Sequence, residues 1–302
     1  MISFVGAGPG AADLITLRGA QRLAAADVVV WASSLVPAAL LEHCPAGVEV
    51  HDSKTMTLED VLAVYAAHPE PAAVVRLHSG DPSLYGAIAE QLSWCRARGR
   101  PFEIVPGVSS IGAAAAALEA ELTVPGVAQS VVATRLAGRT AASMPAGEGV
   151  AAYAAHGGTL AVFLSAARPD ELQDELLAPD SAFTPDTPAA IVVRASWPDE
   201  QIRRTTVGHL AAELRATGAT MTALVLVGDA LGDQSDPARS HLYDPRFTHT
   251  YRLRSTPGSD AGRPSAVTSG ERGPNPAATQ GEPGPNPAAT QRERGPSGEG
   301  GA

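Results

Sequence analysis

The sequence predicts an α/β protein made of two successive α/β domains, followed by an unstructured tail. Three observations carry that prediction. Residues 1–118 alternate short apolar runs with amphipathic stretches, the rhythm of a parallel sheet covered by helices on both faces. Residues 119–232 bring strand-like runs closer together with fewer helical stretches, as a mixed sheet requires. Residues 233–302 give up apolar content for Pro, Gly, Ser, Arg and Glu, and cannot bury enough surface to offset their chain entropy.

The first strand is ISFVG, which runs into a glycine-rich turn before a helix near 16–25. DVVVW reads as the next strand, with a helix near 57–67; AAVVRLH follows, with a helix near 84–98; then FEIVP, with an alanine-rich helix over 111–118. The domain boundary is expected at 119–125. Beyond it the strand candidates are QSVVATR, TLAVFLSA, PAAIVVRAS, QIRRTTVG and TALVLVG. Only the turn-like WPDE at 197–200 separates the third and fourth of these, so they form a hairpin. In the tail GPNPAATQ occurs at 273–280 and again at 284–291, and a proline in each copy excludes a helical reading of that eleven-residue period.

The 302-residue chain carries a net charge of −10. Residues 233–302 hold eight acidic residues and eight arginines, so that charge sits on residues 1–232. An acidic body argues against a nucleic-acid partner. Cys44 and Cys95 are the only cysteines and show no CxxC spacing, which suits a reducing cytosol better than a zinc site or a disulfide framework. No run reaches the ~18 apolar residues of a membrane span, and the N-terminus lacks a basic leader. The expectation is a soluble cytoplasmic protein with a small-molecule partner, neither membrane nor nucleic acid, and no metal. Of 22 basic residues only Lys54 is lysine. Genomic composition explains that bias, and a preference of arginine forks for anionic substrates also fits it.

Three loops carry the functional signal. Gly6-Ala7-Gly8-Pro9-Gly10-Ala11 departs from the dinucleotide fingerprint GxGxxG: its third glycine comes one position early and Pro9 removes an amide that would face a phosphate. Asp27, at the spacing of a ribose-binding acid, precedes its strand instead of ending it. A pyrophosphate cradle is therefore disfavoured, leaving either a tight turn or a shaped wall against which a ligand can lie closely. The second loop, Ser79-Gly80-Asp81-Pro82, leaves the carboxyl end of a strand, where open α/β sheets bind ligands, and leads into a helix through Tyr85-Gly86. The third places Pro106-Gly107 after a strand and Ser109-Ser110 at a helix start. Asp81 and Ser109 also read as ordinary N-caps. Three such loops on one sheet edge favour a shared ligand.

GAGPG, RLHSGDPSLYGAIAEQ, VPGVSSIGAAAAAL, TRLAGRT (134–140) and RASWPDEQI (194–202), taken together, resemble the tetrapyrrole methylases, and the resemblance runs from residue 2 to about 231. ADVVVWASSLVP, TRLAGRT and RASWPDE are similar to the branch that methylates carbon 11 of precorrin-4 in cobalamin biosynthesis. The resemblance implies a class III methyltransferase fold of two α/β domains with a cleft between them, S-adenosyl-L-methionine as cofactor, S-adenosyl-L-homocysteine as its product, and a homodimer. It implies that Gly8, Pro9 and Gly10 shape the cofactor cleft, that Ser79, Gly80 and Asp81 contact the methionine and ribose part with Leu84 packing nearby, and that Ser109 and Ser110 hold the ribose and adenine region. Leu164 and Ala195 fall where the family meets adenine. Relatives acting on uroporphyrinogen III carry an Asp just after the second strand, where this chain has Ala32, Ser33 and Ser34. A cobalt-containing precorrin-4, another tetrapyrrole carbon, and a binding module without turnover remain open.

Methyl transfer from a sulfonium demands alignment more than acid–base groups. The candidates for proton management are His78, Asp81 and Asp52. Arg76, Arg135, Arg139 and Arg194 are candidate anchors for the carboxylates of a precorrin, and Trp31 and Tyr85 could lie against the macrocycle.

Overall fold

A computed structural model describes residues 1–137, 141–145, 147–233, 240–248 and 250. Met1–Arg239 forms one compact unit containing two five-stranded sheets. The first sheet is built from β1 (Ile2–Gly6), β2 (Val28–Trp31), β3 (Glu49–Asp52), β4 (Val74–His78) and β5 (Phe102–Val105), all parallel in the order β3-β2-β4-β1-β5. Each central strand is apolar on both sides because both faces are covered. Ile2, Phe4, Val28, Val30 and Val74 pack with Val61, Val64 and Tyr65 of α2 (Leu58–Ala67) and Leu92 and Cys95 of α3 (Ala89–Ala97). Val5, Val29, Val75 and Leu77 point the other way, toward Leu23 of α1 (Leu17–Ala24) and Leu40 of a short 3-10 segment, Ala38–His43. Burying each such large side chain stabilises the fold by roughly 1.5–3 kcal/mol.

The second sheet contains β6 (Val131–Arg135), β7 (Thr159–Phe163), β8 (Pro188–Val193), β9 (Gln201–Thr206) and β10 (Ala223–Val227), ordered β6-β7-β10-β8-β9. β6 and β7 are parallel, whereas β10 is antiparallel to β7 and β8, and β8 and β9 form the hairpin expected around WPDE. Leu160, Val162, Ile191, Val225 and Val227 pack against α5 (Val150–Ala154), α6 (Pro169–Leu176) and α7 (Leu210–Ala216). The opposite face presents Ala161, Ala190, Val192, Leu224 and Leu226 to α4 (Ser110–Ala117), whose Ala113 and Ala114 are buried there with Leu118. Alanines stand on both surfaces of this contact, Ala113 and Ala114 on the helix and Ala161 and Ala190 on the sheet. The helix expected to close the first domain thus leaves β5 of the first sheet and packs on the second, just ahead of the expected boundary at 119–125.

Three local expectations are corrected. β3 was absent from the strand reading because EVHD is short, polar and half-exposed at a sheet edge. The helix expected from residue 84 begins at Ala89, because Tyr85 and Ala87 sit at φ 56° and 49°, outside the helical region. Ala12–Leu14, expected as loop, makes a short 3-10 turn, and Thr16 then caps α1 by accepting from Gly19 N at 3.1 Å. Of the expected tail only Asp233, 240–248 and Thr250 are described, with a 3-10 turn at His241–Tyr243; the two GPNPAATQ copies lie outside the described residues.

Candidate functional site

The three loops meet at the carboxyl edge of the first sheet. Gly8 and Gly80 pair as an antiparallel bridge, with Gly80 N donating to Gly8 O at 2.8 Å and Gly8 N to Gly80 O at 3.2 Å. Their φ values of +80° and +63° suit glycine. A Cβ on Gly107 would lie 2.1 Å from Gly80 O, and one on Gly6 2.5 Å from Gly107 Cα, so these glycines admit one loop to the next. Asp81 fastens the arrangement. One carboxylate oxygen accepts from Gly107 N at 2.8 Å, and the other accepts from Ser83 N at 2.8 Å and from the Ser83 hydroxyl. Burial pushes this carboxyl up, but the bonds from Ser83 and Gly107 outweigh it and hold Asp81 below the usual carboxylate range.

The second sheet closes over this edge. Trp197, in the turn between β8 and β9, donates from Nε1 to Pro9 O at 3.0 Å, and Ala11 N donates to Ser196 Oγ at 2.9 Å. A cavity of about 430 Å³ lies between the two edges, within the ~300–1,000 Å³ usual for small-molecule sites. Pro9, Leu35, Ser79, Gly80, Asp81, Leu84, Tyr85, Ser109 and Ser110 line it from the first half; Phe163, Leu164, Arg194, Ala195, Trp197 and Met221 are among those lining it from the second. Leu164 and Met221 leave 66% and 61% of their surface exposed, and grouped apolar exposure of this kind marks a binding surface. Tyr85, Leu164, Arg194 and Thr222 all line the cavity at φ between 51° and 56°. Left-handed backbone at non-glycine residues costs on the order of 1–3 kcal/mol each and gathers at functional sites.

Sequence reasoning placed Pro9, Ser79, Gly80, Asp81, Leu84, Ser109, Ser110, Leu164 and Ala195 in one site, and all of them line this cavity. Gly8 and Gly10 do not. Gly8 is spent on the bridge to Gly80, and Gly10 makes room for the Trp197 ring, whose Cδ1 would lie 2.2 Å from an added Cβ. His78 is buried beneath the loops, packed at 6.1 Å from Phe4, with Nε2 lacking a partner. Burial, with Arg76 nearby, lowers its pKa to about 3, so the ring stays neutral and does not reach the cavity as a proton carrier. Asp52 ends the outer strand β3, on the same carboxyl edge but outside the cavity lining, accepting from Ser33 Oγ at 2.6 Å, from Ser33 N and Lys54 N at 3.1 Å each, and from Lys54 Nζ at 3.1 Å. The Ser33 hydroxyl above all holds it far below the carboxylate range, and it anchors the loop after β2 instead of handling protons.

The arginines separate. Arg76 is largely buried and donates to Ser53 Oγ at 2.8 Å and Val30 O at 3.3 Å, so it braces β2 and does not face the cavity. Arg194 lines the cavity, but its guanidinium lies 4.0 Å over the Trp197 ring and pairs with Asp199 at 2.7 Å, which makes it a support for the tryptophan. Arg135 faces a neighbouring, smaller cavity; Arg139 lies outside the described residues. Trp31 packs on the apolar core beside α1. Asp27 accepts from Ala73 N at 2.8 Å ahead of β2, at the edge opposite the loops. Among the described residues no three His, Cys, Asp or Glu side chains could hold a metal ion, and no helix is long and apolar enough to cross a membrane.

Residues 1–211 match the family model for tetrapyrrole (corrin/porphyrin) methylases. The chain belongs to that family. A precorrin-4 C(11)-methyltransferase from Sinorhizobium is 43% identical over 254 residues, 84% of this chain and 98% of the relative. The protein of that name from Mycobacterium tuberculosis is 46% identical over 231 residues, 76% of this chain and 91% of the relative. Among solved structures, a cobalt-precorrin-4 methyltransferase of cobalamin biosynthesis superposes with a TM-score of 0.73 at 42% identity, covering 77% of this chain and 96% of its own. A uroporphyrin-III C-methyltransferase from Thermus thermophilus, complexed with S-adenosylhomocysteine, superposes with a TM-score of 0.62 at 27% identity, covering 76% and 98%.

Several lining residues of this methylase escaped the sequence reading. Leu35, Phe163, Trp197 and Met221 were not singled out for the cofactor cleft. Trp197 lies in the quoted RASWPDE turn, but its partner Pro9 is 188 residues away. Phe163 and Met221 sit at strand edges, where a single large apolar residue reads as core.

Proposed function

We propose that the chain is an S-adenosyl-L-methionine-dependent methyltransferase acting on carbon 11 of precorrin-4 to give precorrin-5. The observation that carries this reading is the convergence of the loops after β1, β4 and β5 with the edge of the second sheet on one apolar-walled cavity. The residues present fit such a cofactor. Leu84, Leu164, Ala195 and Met221 offer apolar surface for an adenosyl group, and ionised Asp81 suits a positively charged donor. When bound, the cofactor supplies a methyl group already attached to a sulfonium leaving group. The chain's own residues then have to orient donor and acceptor and exclude water, and alignment of this kind can supply ~7–11 kcal/mol of barrier lowering. The Gly6, Gly80 and Gly107 contacts and the Asp81 clamp give the rigid wall this needs, while Tyr85 and Phe163 form a ring pair with centroids 4.9 Å apart. The same reading takes the enzyme to be a cytoplasmic homodimer.

The test is turnover with carbon-13-methyl-labelled cofactor, offered metal-free and cobalt-containing precorrin-4 separately. Label at carbon 11 of the product is expected, and the better acceptor identifies the route. Label at any other carbon, or tight S-adenosylhomocysteine binding with no multiple turnover, overturns the assignment.

A further inference from the structure

A second cavity, of about 230 Å³, shares one wall with the first: Tyr85 lines both. Its other lining residues include Arg135, Ser143, Glu148 and Tyr153. The sheet register puts this pocket beside the first. Arg135 ends β6 opposite Phe163 of β7, and the Phe163 ring packs on Tyr85. Tyr85, backed by Phe163, therefore stands between an apolar chamber and a polar one. The polar chamber is below the ~300 Å³ at which small-molecule sites begin, too small for a macrocycle and suited to a single side arm.

We propose that this polar cavity is a subsite for a carboxylate-bearing side arm of the tetrapyrrole acceptor, with Arg135 as its counter-charge, and that filling it sets which edge of the macrocycle faces the donor cavity. The inference rests on the methyltransferase reading. Arg135 Nη2 donates to Ser143 Oγ at 2.9 Å, which holds the guanidinium at the cavity, and a planar fork is the group that recognises a carboxylate in two-point fashion. Tyr153, also in the lining, carries a hydroxyl capable of donating without charge. Glu148 lies in the same lining and opposes a second anion, so the subsite accepts one carboxylate arm and disfavours a more highly charged group such as a phosphate. Tyr85 is the positioning residue. Its left-handed φ of 56° and the turn locked by Gly86 under Pro82 fix where its ring divides the two chambers.

The test compares wild type with Arg135→Gln, Arg135→Lys and Glu148→Gln in the full chain, reading KM for acceptor, KM for S-adenosylmethionine, S-adenosylhomocysteine affinity by calorimetry, and thermal midpoint. Losing a charged hydrogen bond to substrate predicts an acceptor KM raised about tenfold to a hundredfold in Arg135→Gln, with cofactor affinity within about twofold. Arg135→Lys should recover part of the loss, and Glu148→Gln, which removes the anion opposing the incoming carboxylate, should lower acceptor KM. An unchanged acceptor KM in Arg135→Gln overturns the subsite, as does equal weakening of acceptor and cofactor. An acceptor KM raised in Glu148→Gln as much as in Arg135→Gln makes the two an internal ion pair and overturns it too. A wild type that neither binds S-adenosylhomocysteine nor transfers methyl defeats the functional reading itself, and the subsite with it.

Discussion

Replacing Gly10 by alanine tests whether this glycine serves the tryptophan of the opposite sheet edge or the ligand. The added Cβ would lie 2.2 Å from Trp197 Cδ1, 2.5 Å from Nε1 and 2.9 Å from Ala195 O. Restoring an ordinary ~3.4 Å contact requires the ring to retreat by about 1.2 Å. Such a retreat stretches the 3.0 Å bond from Trp197 Nε1 to Pro9 O beyond hydrogen-bond range and lifts the ring from under the Arg194 guanidinium. Loss of one hydrogen bond costs roughly 0.5–1.5 kcal/mol and overpacking roughly 1–3, so Gly10→Ala should destabilise by about 2–4 kcal/mol. Urea unfolding measures this, and calorimetry with S-adenosylhomocysteine should show weaker binding because Trp197 and Ala195 line the cavity. The decisive measurement is a double-mutant cycle with Trp197→Ala. Removing the ring removes most of the obstruction, so adding Gly10→Ala to that background should cost under about 1 kcal/mol, the residue reflecting Ala195 O. Additive costs, or a single variant within about 0.5 kcal/mol of wild type, would refute the argument.

The other glycines and His78 give sharper contrasts. Gly107→Ala drives a Cβ to 2.1 Å from Gly80 O, a backbone atom that cannot swing aside, so loss of folded protein in expression and unfolding assays is expected. Gly112 lies exposed in α4, with nothing within 4 Å of an added Cβ; Gly112→Ala should raise stability by ~0.5–1 kcal/mol in the same urea assay. His78 has a folded pKa of about 3 against 6.5 in the open chain, so the unfolded state binds the extra proton first. Stability is full above pH 6.5 and falls as pH drops toward 3, by at most roughly 5 kcal/mol at ~1.4 kcal/mol per pH unit. Urea midpoints against pH should show that slope in wild type and a flatter one in His78→Gln; parallel slopes would contradict it. The pH profile of kcat should show no limb that His78→Gln removes.

The parts of this structure that were legible in the sequence are those whose causes are local. DVVVW and AAVVRLH read as strands because both faces of a central parallel strand are buried, and β8–β9 read as a hairpin because only WPDE separates the runs PAAIVVRAS and QIRRTTVG. The loops at Ser79–Asp81 and Ser109–Ser110 stood out because glycine, proline and small polar residues cluster after apolar runs. What stayed hidden depends on distant partners. Gly10 was read as a ligand wall because nothing nearby in sequence says that an indole occupies the space its missing side chain leaves. The unwound turn before α3 was hidden for a related reason. SLYGAI has an acceptable helical pattern, whereas Tyr85 sits in left-handed backbone with its ring against Phe163, a residue 78 positions away that the local pattern does not show.

Asp81 joins these two classes, since its type was legible and its role was not. A carboxylate at the carboxyl end of a strand reads equally as an N-cap, a base or a ligand contact, and the structure decides by counting what its oxygens already accept. With one oxygen on Gly107 and the other on Ser83, its pKa sits below the range of a useful base at neutral pH. It is also the only carboxyl among the described residues lining the larger cavity, and no imidazole lines it. The acceleration this cavity can give therefore comes from geometry: loops joined glycine against glycine, a tryptophan seated across the gap, and a packed ring pair, Tyr85 on Phe163, in its wall. Rigidity is then the catalytic property at stake. A single Cβ at Gly10 or Gly107 should cost this enzyme more than the loss of either candidate proton carrier outside the cavity lining, His78 or Asp52, costs its chemical step.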